Sequence, residues 1–282
     1  EMSASLVGSE MCIRDRVRDY WVEAGKGARE IAADMGRELG TPCINNIWVP
    51  DGLKDMPANR LLYREHLRES LDRIFEKRLD RSLMRDVLEG KVFGIGTESF
   101  TVGSHEFYLA YAAGHHVGIC MDTGHYHPTE NVADKLSAVV PLIDDVLLHI
   151  SRGLRWDSDH VLIQGDDLSA LMQEMKRGGF FHQVGMGLDY FDASINRVAA
   201  WVIGLRAAGK AMLTALLEPS ALLEQAEADG DFTARLALTE EFKNLPANAV
   251  WEYLCLQEGV PVGTDWLTVL RRYEQDVQSK RR

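Results

Sequence analysis

The chain has 282 residues, 46% of them hydrophobic and 26% charged, with a formal net charge of −12. That balance fits a soluble globular protein with room for a sizeable core. The acidic excess excludes the electrostatic footprint of a nucleic-acid or anionic-lipid binder, since Lys280-Arg281-Arg282 is the one basic block. No apolar run approaches the roughly 18 to 20 residues that span a bilayer, and the N-terminus lacks the pattern of a secretory signal. A cytoplasmic protein with a small-molecule partner is expected. Cys12, Cys43, Cys120 and Cys255 are widely spaced, without the C-x-x-C pairing of a zinc or redox motif, and read as reduced thiols.

Residues 1–16 have no period and no boundary signal, and read as a non-native junction or a disordered segment. From Val17 a helical pattern runs to Leu39, closed by Gly40-Thr41-Pro42, and the apolar run 43–49 then reads as a strand ended by Pro50-Asp51-Gly52. Further short apolar runs follow at 92–96, 116–121, 146–150 and 184–188, separated by stretches long enough for helices. Strands alternating with helices predict a parallel sheet in an α/β fold. After Asp192 the pattern is helical only, over roughly 194–217, 219–229, 231–244 and 263–279. Five strands fall short of the eight that close a (β/α)₈ barrel. The expected fold is therefore a partial (β/α)₈ TIM barrel, its C-terminal five βα units spanning 17–205, with a helical, oligomerising extension over 206–282.

In parallel α/β folds functional groups gather where strands give way to the following loops. Glu98 follows the 92–96 run. Asp122, His125 and His127 follow the next, His149 lies in the third and leads to Asp157, Asp159 and His160, and Asp189 closes the last. Oxygen-rich sites with one or two imidazoles suit Mn²⁺, Mg²⁺ or Co²⁺. Asp157 and Asp159 alternate in a segment read as extended, so both point one way and join His125 around one ion. Glu98, Asp122, His149 and Asp189 then surround a second, with Glu98 close enough to bridge. Any one of these acids alone is more often a cap or turn residue, and His149 a core histidine. Their concentration at one rim is the stronger signal, because burying so many carboxylates without a cation costs heavily.

The segments NIWVPDGLKD (46–55), FGIGTESFTVGSHEFY (93–108), MDTGHYHPTE (121–130), LLHISRGLRWDSDHV (147–161) and GLDYFDASINRVAAWVIG (187–204) resemble the L-rhamnose isomerase family. The similarity runs from about Val17 to the C-terminus. It implies a TIM barrel with an appended helical region, a homotetramer, and two divalent ions per subunit. The ions are usually Mn²⁺, with Co²⁺, Mg²⁺ or Zn²⁺ as alternatives. It implies interconversion of L-rhamnose and L-rhamnulose by hydride shift in rhamnose catabolism. On the family pattern His125, Asp157 and Asp159 match ligands of the catalytic ion, and Glu98, Asp122, His149 and Asp189 those of the structural ion. Glu98, His125 and Asp189 also face the substrate, and Trp48 matches a pocket aromatic suited to a sugar face or its methyl end. Lys54 and Arg155 are further polar residues near the rim.

Members of the family begin with about three more βα units, bearing further pocket aromatics and a histidine, where this chain has residues 1–16. Two alternatives follow: a non-catalytic metal-binding fragment, or a metal-dependent sugar epimerase or hydrolase on the same barrel.

Overall fold

The computed structural model describes residues 15–49, 51–92, 99–154, 157–192 and 194–281. Its contacts divide the chain into two compact units, one containing residues up to Ser158 together with Phe181–Asp189, the other containing Asp159–Phe180 and Tyr190–Arg282.

The first unit opens with helix α1 (Asp15–Leu39), which precedes strand β1 (Cys43–Trp48). Val22, Arg29, Ala32, Ala33 and Gly36 are buried along one face of α1, at the spacing of a helix that packs on one side. Ala32 and Ala33 meet Met84, Cys43, Leu79 and Leu83. Gly36 is needed there, because a Cβ would fall 1.8 Å from the Leu83 carbonyl oxygen. A short pair, β2 (Gly52–Leu53) and β4 (Phe100–Thr101), is antiparallel. Helix α2 (Arg60–Ile74) starts at Asn59, whose side chain accepts the Leu62 N–H, and it leads to β3 (Met84–Glu89). Then come α3 (His105–His115), β5 (Gly118–Asp122), α4 (Ala133–Val139), β6 (Val146–Ile150) and β7 (Val184–Leu188).

Strands β1, β3, β5, β6 and β7 form one parallel sheet in that order. Spatial order follows chain order with no switch point, which is the arrangement of a (β/α) barrel segment rather than of a doubly wound sheet. Val87, Cys120 and Leu147 from three neighbouring strands pack together with Ile44. The register sets Trp48 opposite Glu89, Glu89 opposite Cys120, Asp122 opposite His149 and Ile150 opposite Leu188, so β5 runs two residues past the end of β3 and β6 one residue past the end of β5.

The strands expected at 146–150 and 184–188 are found at those bounds, and those expected at 43–49 and 116–121 shift by a residue or two. The strand expected at 92–96 falls, apart from Val92, outside the described residues. Val92 is in a bend, and the second strand of the sheet is Met84–Glu89. Its sequence, MRDVLE, is half charged and so lacks an apolar signature. The charge is tolerated because Asp86 accepts from Arg29 Nε at 3.0 Å and from Asn45 Nδ2 at 2.9 Å.

The second unit contains α5 (Asp166–Arg177) and five successive helices: α6 (Arg197–Leu217), α7 (Ser220–Ala228), α8 (Phe232–Phe242), α9 (Ala247–Gln257) and α10 (Trp266–Asp276). Helix α5 carries Asp166 and Asp167 in its first turn and Lys176 and Arg177 in its last, matching its dipole. Asn196 caps α6 by accepting the N–H groups of Val198 and Ala199. Ala199, Ala200, Gly204, Ala207, Ala211 and Ala215 are buried along α6, and small side chains let neighbours approach closely. Tyr190 fills the space over Gly204 and donates its hydroxyl to the Ala200 carbonyl at 2.8 Å. Helix α9 lies in a stretch for which no element was expected, and the boundary expected at 205/206 falls inside α6.

Contrary to the absence of a long apolar run read from the sequence, α6 is long and apolar enough, by length and composition alone, to cross a membrane. It nevertheless packs against α5, α9 and α10, and Arg206 and Lys210 on it donate to Pro261, Gly263 and Asn248. Cys43, Cys120 and Cys255 are free thiols, as expected, and Cys12 is outside the described residues.

Candidate metal centre

The parallel sheet carries its acids and imidazoles to the C-terminal ends of the strands. Glu89 ends β3, Asp122 ends β5, His149 is the penultimate residue of β6 and Asp189 follows β7. One potential ligand atom from each of these four lies within 4.8 Å of the others. Asp122, His149 and Asp189 were expected together. Glu98, expected as their fourth partner, lies outside the described residues, and the acid at this position is Glu89. Its signal is hidden in the sequence because the strand that delivers it is charged.

The donors are held from outside the cluster. Glu89 and Asp122 are 2% and 1% exposed. The Asn46 amide donates to Glu89 Oε2. Asp122 Oδ1 accepts the Gly124 N–H at 2.6 Å and the Ser151 hydroxyl at 3.3 Å, which leaves Oδ2 directed at His149. A Cβ at Gly124 would sit 2.9 Å from both Asp157 Oδ1 and Ser151 Oγ, so a side chain there would displace them.

His149 Nδ1 lies 3.1 Å from Asp189, 3.4 Å from Glu89 and 3.9 Å from Asp122, yet it has no hydrogen-bond partner of acceptable geometry. The same holds for Glu89 Oε1 and His125 Nδ1, only 3.0 Å apart. Lone pairs that face one another across a small space, rather than pairing donor to acceptor, suit a shared cation. The donor set of three carboxylates and one imidazole fits a hard or borderline divalent ion.

In the protein alone, protons take the place of that charge. Burial disfavours the charged imidazole of His149, but Asp189, Cys120 and Glu89 outweigh it and raise its pKa to about 12. His125 is likewise lowered by burial and raised further by Asp157 and Glu89, to about 10. Burial pushes Asp122 up to about 7. Glu89, which burial would raise, is brought down to about 2 by His125 and His149. Cys120 lies beside Glu89 and His149, and burial pushes its thiol up to about 12.

A second group adjoins the first. His125 Nε2 is 3.3 Å from Asp157 Oδ2, and Lys91 Nζ donates to the same oxygen at 2.6 Å. Burial opposes it, but His125 and Lys91 hold the Asp157 carboxyl well below the ordinary range. Trp48, 41% exposed, stacks on His125 at 5.7 Å, and Lys91 Nζ lies 5.3 Å over its ring. Lys91, buried two residues beyond Glu89, went unnoticed in the sequence because the strand it follows was unrecognised. His105 supports the group from behind: its ring bonds the His125 carbonyl at 3.0 Å and stacks on Tyr126 at 4.0 Å.

The expected alternation of Asp157 and Asp159 in an extended segment is not found. Asp159 has a φ of 46°, in the left-handed region, so successive side chains there do not follow a strand's period. His127 turns into its own loop, where Nδ1 meets Thr129 Oγ1 at 2.7 Å. Lys54 is exposed and its backbone carbonyl accepts the Ser99 N–H and hydroxyl, while Arg155 lies outside the described residues.

A family model described as L-rhamnose isomerase matches residues 9–281. Over 265 residues the chain is 53% identical to the L-rhamnose isomerase of Rhodopirellula baltica, covering 94% of this chain and 62% of that protein. Over 267 residues it is 50% identical to the L-rhamnose isomerase of Citrobacter koseri, covering 95% of this chain and 64% of that protein. The chain thus spans just under two thirds of the length of these relatives. A solved 3-keto-D-glucoside 4-epimerase from E. coli aligns with a TM-score of 0.48 at 16% identity, over 71% of this chain and 73% of that one. By the extent of the family match and the identity with these relatives, the chain belongs to the L-rhamnose isomerase family.

Proposed function

We propose that this chain carries the metal-binding side of an aldose–ketose isomerase active site that interconverts L-rhamnose and L-rhamnulose in rhamnose catabolism. The observation that carries the reading is the convergence of Glu89, Asp122, His149 and Asp189 from four consecutive parallel strands onto one point. These four are proposed to hold one divalent ion, and His125 with Asp157 and Asp159 a second; Mn²⁺ is the favoured ion. A bound divalent ion supplies Lewis acidity toward a carbonyl or hydroxyl oxygen.

The chain's own residues supply the rest. Trp48 offers a half-exposed indole face to the apolar side of a sugar. Lys91 pairs with Asp157 beside His125, where its ammonium can hold a substrate oxygen in place. Asp157, with its pKa held down, stays a carboxylate at neutral pH and serves as a ligand rather than as a proton acceptor. The proposed assembly is a homotetramer built through the helices that follow β7, and the proposed compartment is the cytoplasm.

Ketose formation from L-rhamnose with added Mn²⁺ tests the reading, with Asp122→Asn as control. L-rhamnulose from the parent chain and none from the variant is the expected result. The chain's span of 62% of a relative favours a second reading, a metal-binding fragment without activity of its own. Mn²⁺ binding without ketose formation would establish that reading instead.

A further inference from the structure

The opposite ends of the same strands hold a different kind of site. A cavity of about 330 Å³ is bounded by the loop after α2, the first residues of β3 and the end of α3 with the turn into β5. Arg29, Arg78, Arg81 and Arg85 line it with His115 and His116. Four guanidiniums there meet three carboxylates, Asp72, Asp86 and Asp145, in a chain whose formal net charge is −12.

The acids are already engaged. Asp86 accepts from Arg29 and Asn45, and Asp72 accepts the Tyr111 hydroxyl at 2.8 Å with His115 Nε2 at 3.7 Å. Arg29 is also committed, since Nε donates to Asp86, Nη1 donates to the Ile74 and Lys77 carbonyls and the guanidinium lies 5.1 Å over Phe75. That part of the lining is a finished wall.

Three arginines are different. Arg81 Nη2 and Arg85 Nη1 both bind the buried Asp145, at 2.5 Å and 3.2 Å. One carboxylate offsets only one of the two charges, and each fork retains donors, with side chains 52% and 42% exposed. Arg78 also lines the cavity and makes no hydrogen bond or ion pair among the described residues. Against these three arginines stands one carboxylate, Asp145, which fixes two planar forks side by side, and Asp72 brings the excess over the whole lining to one positive charge. A group with two negative charges and several oxygens in a compact tetrahedron matches that arrangement.

We propose that the cavity at the N-terminal ends of β3 and β5 binds a phosphoryl group through Arg78, Arg81 and Arg85. The volume exceeds that of phosphate alone and leaves room for a small attached molecule. From Arg85 to Glu89 along β3 is about 13 Å at roughly 3.3 Å per residue, so an occupant here lies at the far end of a strand that also carries a proposed metal ligand.

Calorimetric titration of the full chain in metal-free buffer at constant ionic strength tests this, with inorganic phosphate, glucose 6-phosphate and glucose as probes. Saturable binding of both phosphorylated probes and none of glucose is expected. Tighter binding of glucose 6-phosphate identifies a phosphorylated metabolite as the occupant, and equal binding identifies free phosphate. Arg78→Gln, and independently Arg85→Lys, which keeps Asp145 paired, should each weaken binding, by at least tenfold for Arg78→Gln. Absence of phosphate binding, or binding that neither variant changes, would overturn the proposal.

Discussion

Strand β3 carries charge along its whole length, but its two halves accommodate it by different means. Near its start Asp86 accepts from Arg29 and Asn45, and Arg29 also donates to the Ile74 and Lys77 carbonyls. At its end Glu89 faces His125 and His149 across short gaps without hydrogen-bond geometry, among two further acids. The first arrangement is complete as it stands and serves stability. The second is arranged for an ion, and until one binds its charge is balanced by protons on imidazoles whose pKa values have risen to about 10 and 12.

The largest effect is expected from breaking the completed end. Arg29→Ala leaves Asp86 without its cation and two carbonyls without a donor, and should lower unfolding free energy by about 3–5 kcal/mol in urea denaturation. A loss below about 1 kcal/mol would mean that Asp86 is not a buried charge at all.

Glu89→Gln tests the other end. Changes to groups behind a metal ligand already cost about 10- to 100-fold in affinity, so loss of this carboxylate should weaken Mn²⁺ binding by at least about a hundredfold. Fold should be kept, as read by circular dichroism. Unchanged affinity would remove Glu89 from the ligand set and return attention to Glu98.

A pH series sharpens the contrast. His125 and His149 have folded pKa values above their ordinary ones, so the stability they contribute is full below about 6.5 and is lost as pH rises through about 10 to 12. Asp122, raised to about 7, adds a loss in the same direction between its ordinary value and neutrality. The metal-free chain should accordingly be less stable at pH 9 than at pH 6. Mn²⁺ binding at neutral pH should release about two protons, measured from heats in buffers of different ionisation enthalpy. No release would show that both imidazoles are already neutral.

The smallest effect belongs to Arg78→Gln. With no partner among the described residues, it should change stability by less than about 0.5 kcal/mol. A larger loss would show that Arg78 is structural, like Arg29.

Much of the sheet was legible because β6 and β7 are short apolar runs between polar stretches, and the groups at their ends followed from the rule that strand ends carry chemistry. Strand β3 was not legible by that route. Arg85, Asp86 and Glu89 remove the apolar signature, and the residues that compensate them, Arg29 and Asn45, are 57 and 41 positions away from Asp86. Because that strand went unrecognised, Glu89 and Lys91 were missed, while Asp122, His149 and Asp189 were found.

The sequence by itself determined the α/β alternation, the run of helices after β7, the resemblance to a family of sugar isomerases, and three of the four residues that meet at the rim. Periodicity and strand-end position are local properties, readable without neighbours. Only the tertiary structure decided that a half-charged segment is a central strand, that Asp159 leaves the extended conformation beside Asp157, and that arginines gather at the far end of the sheet. The first and the last depend on charged groups brought together across long sequence separations, and local pattern carries no record of that.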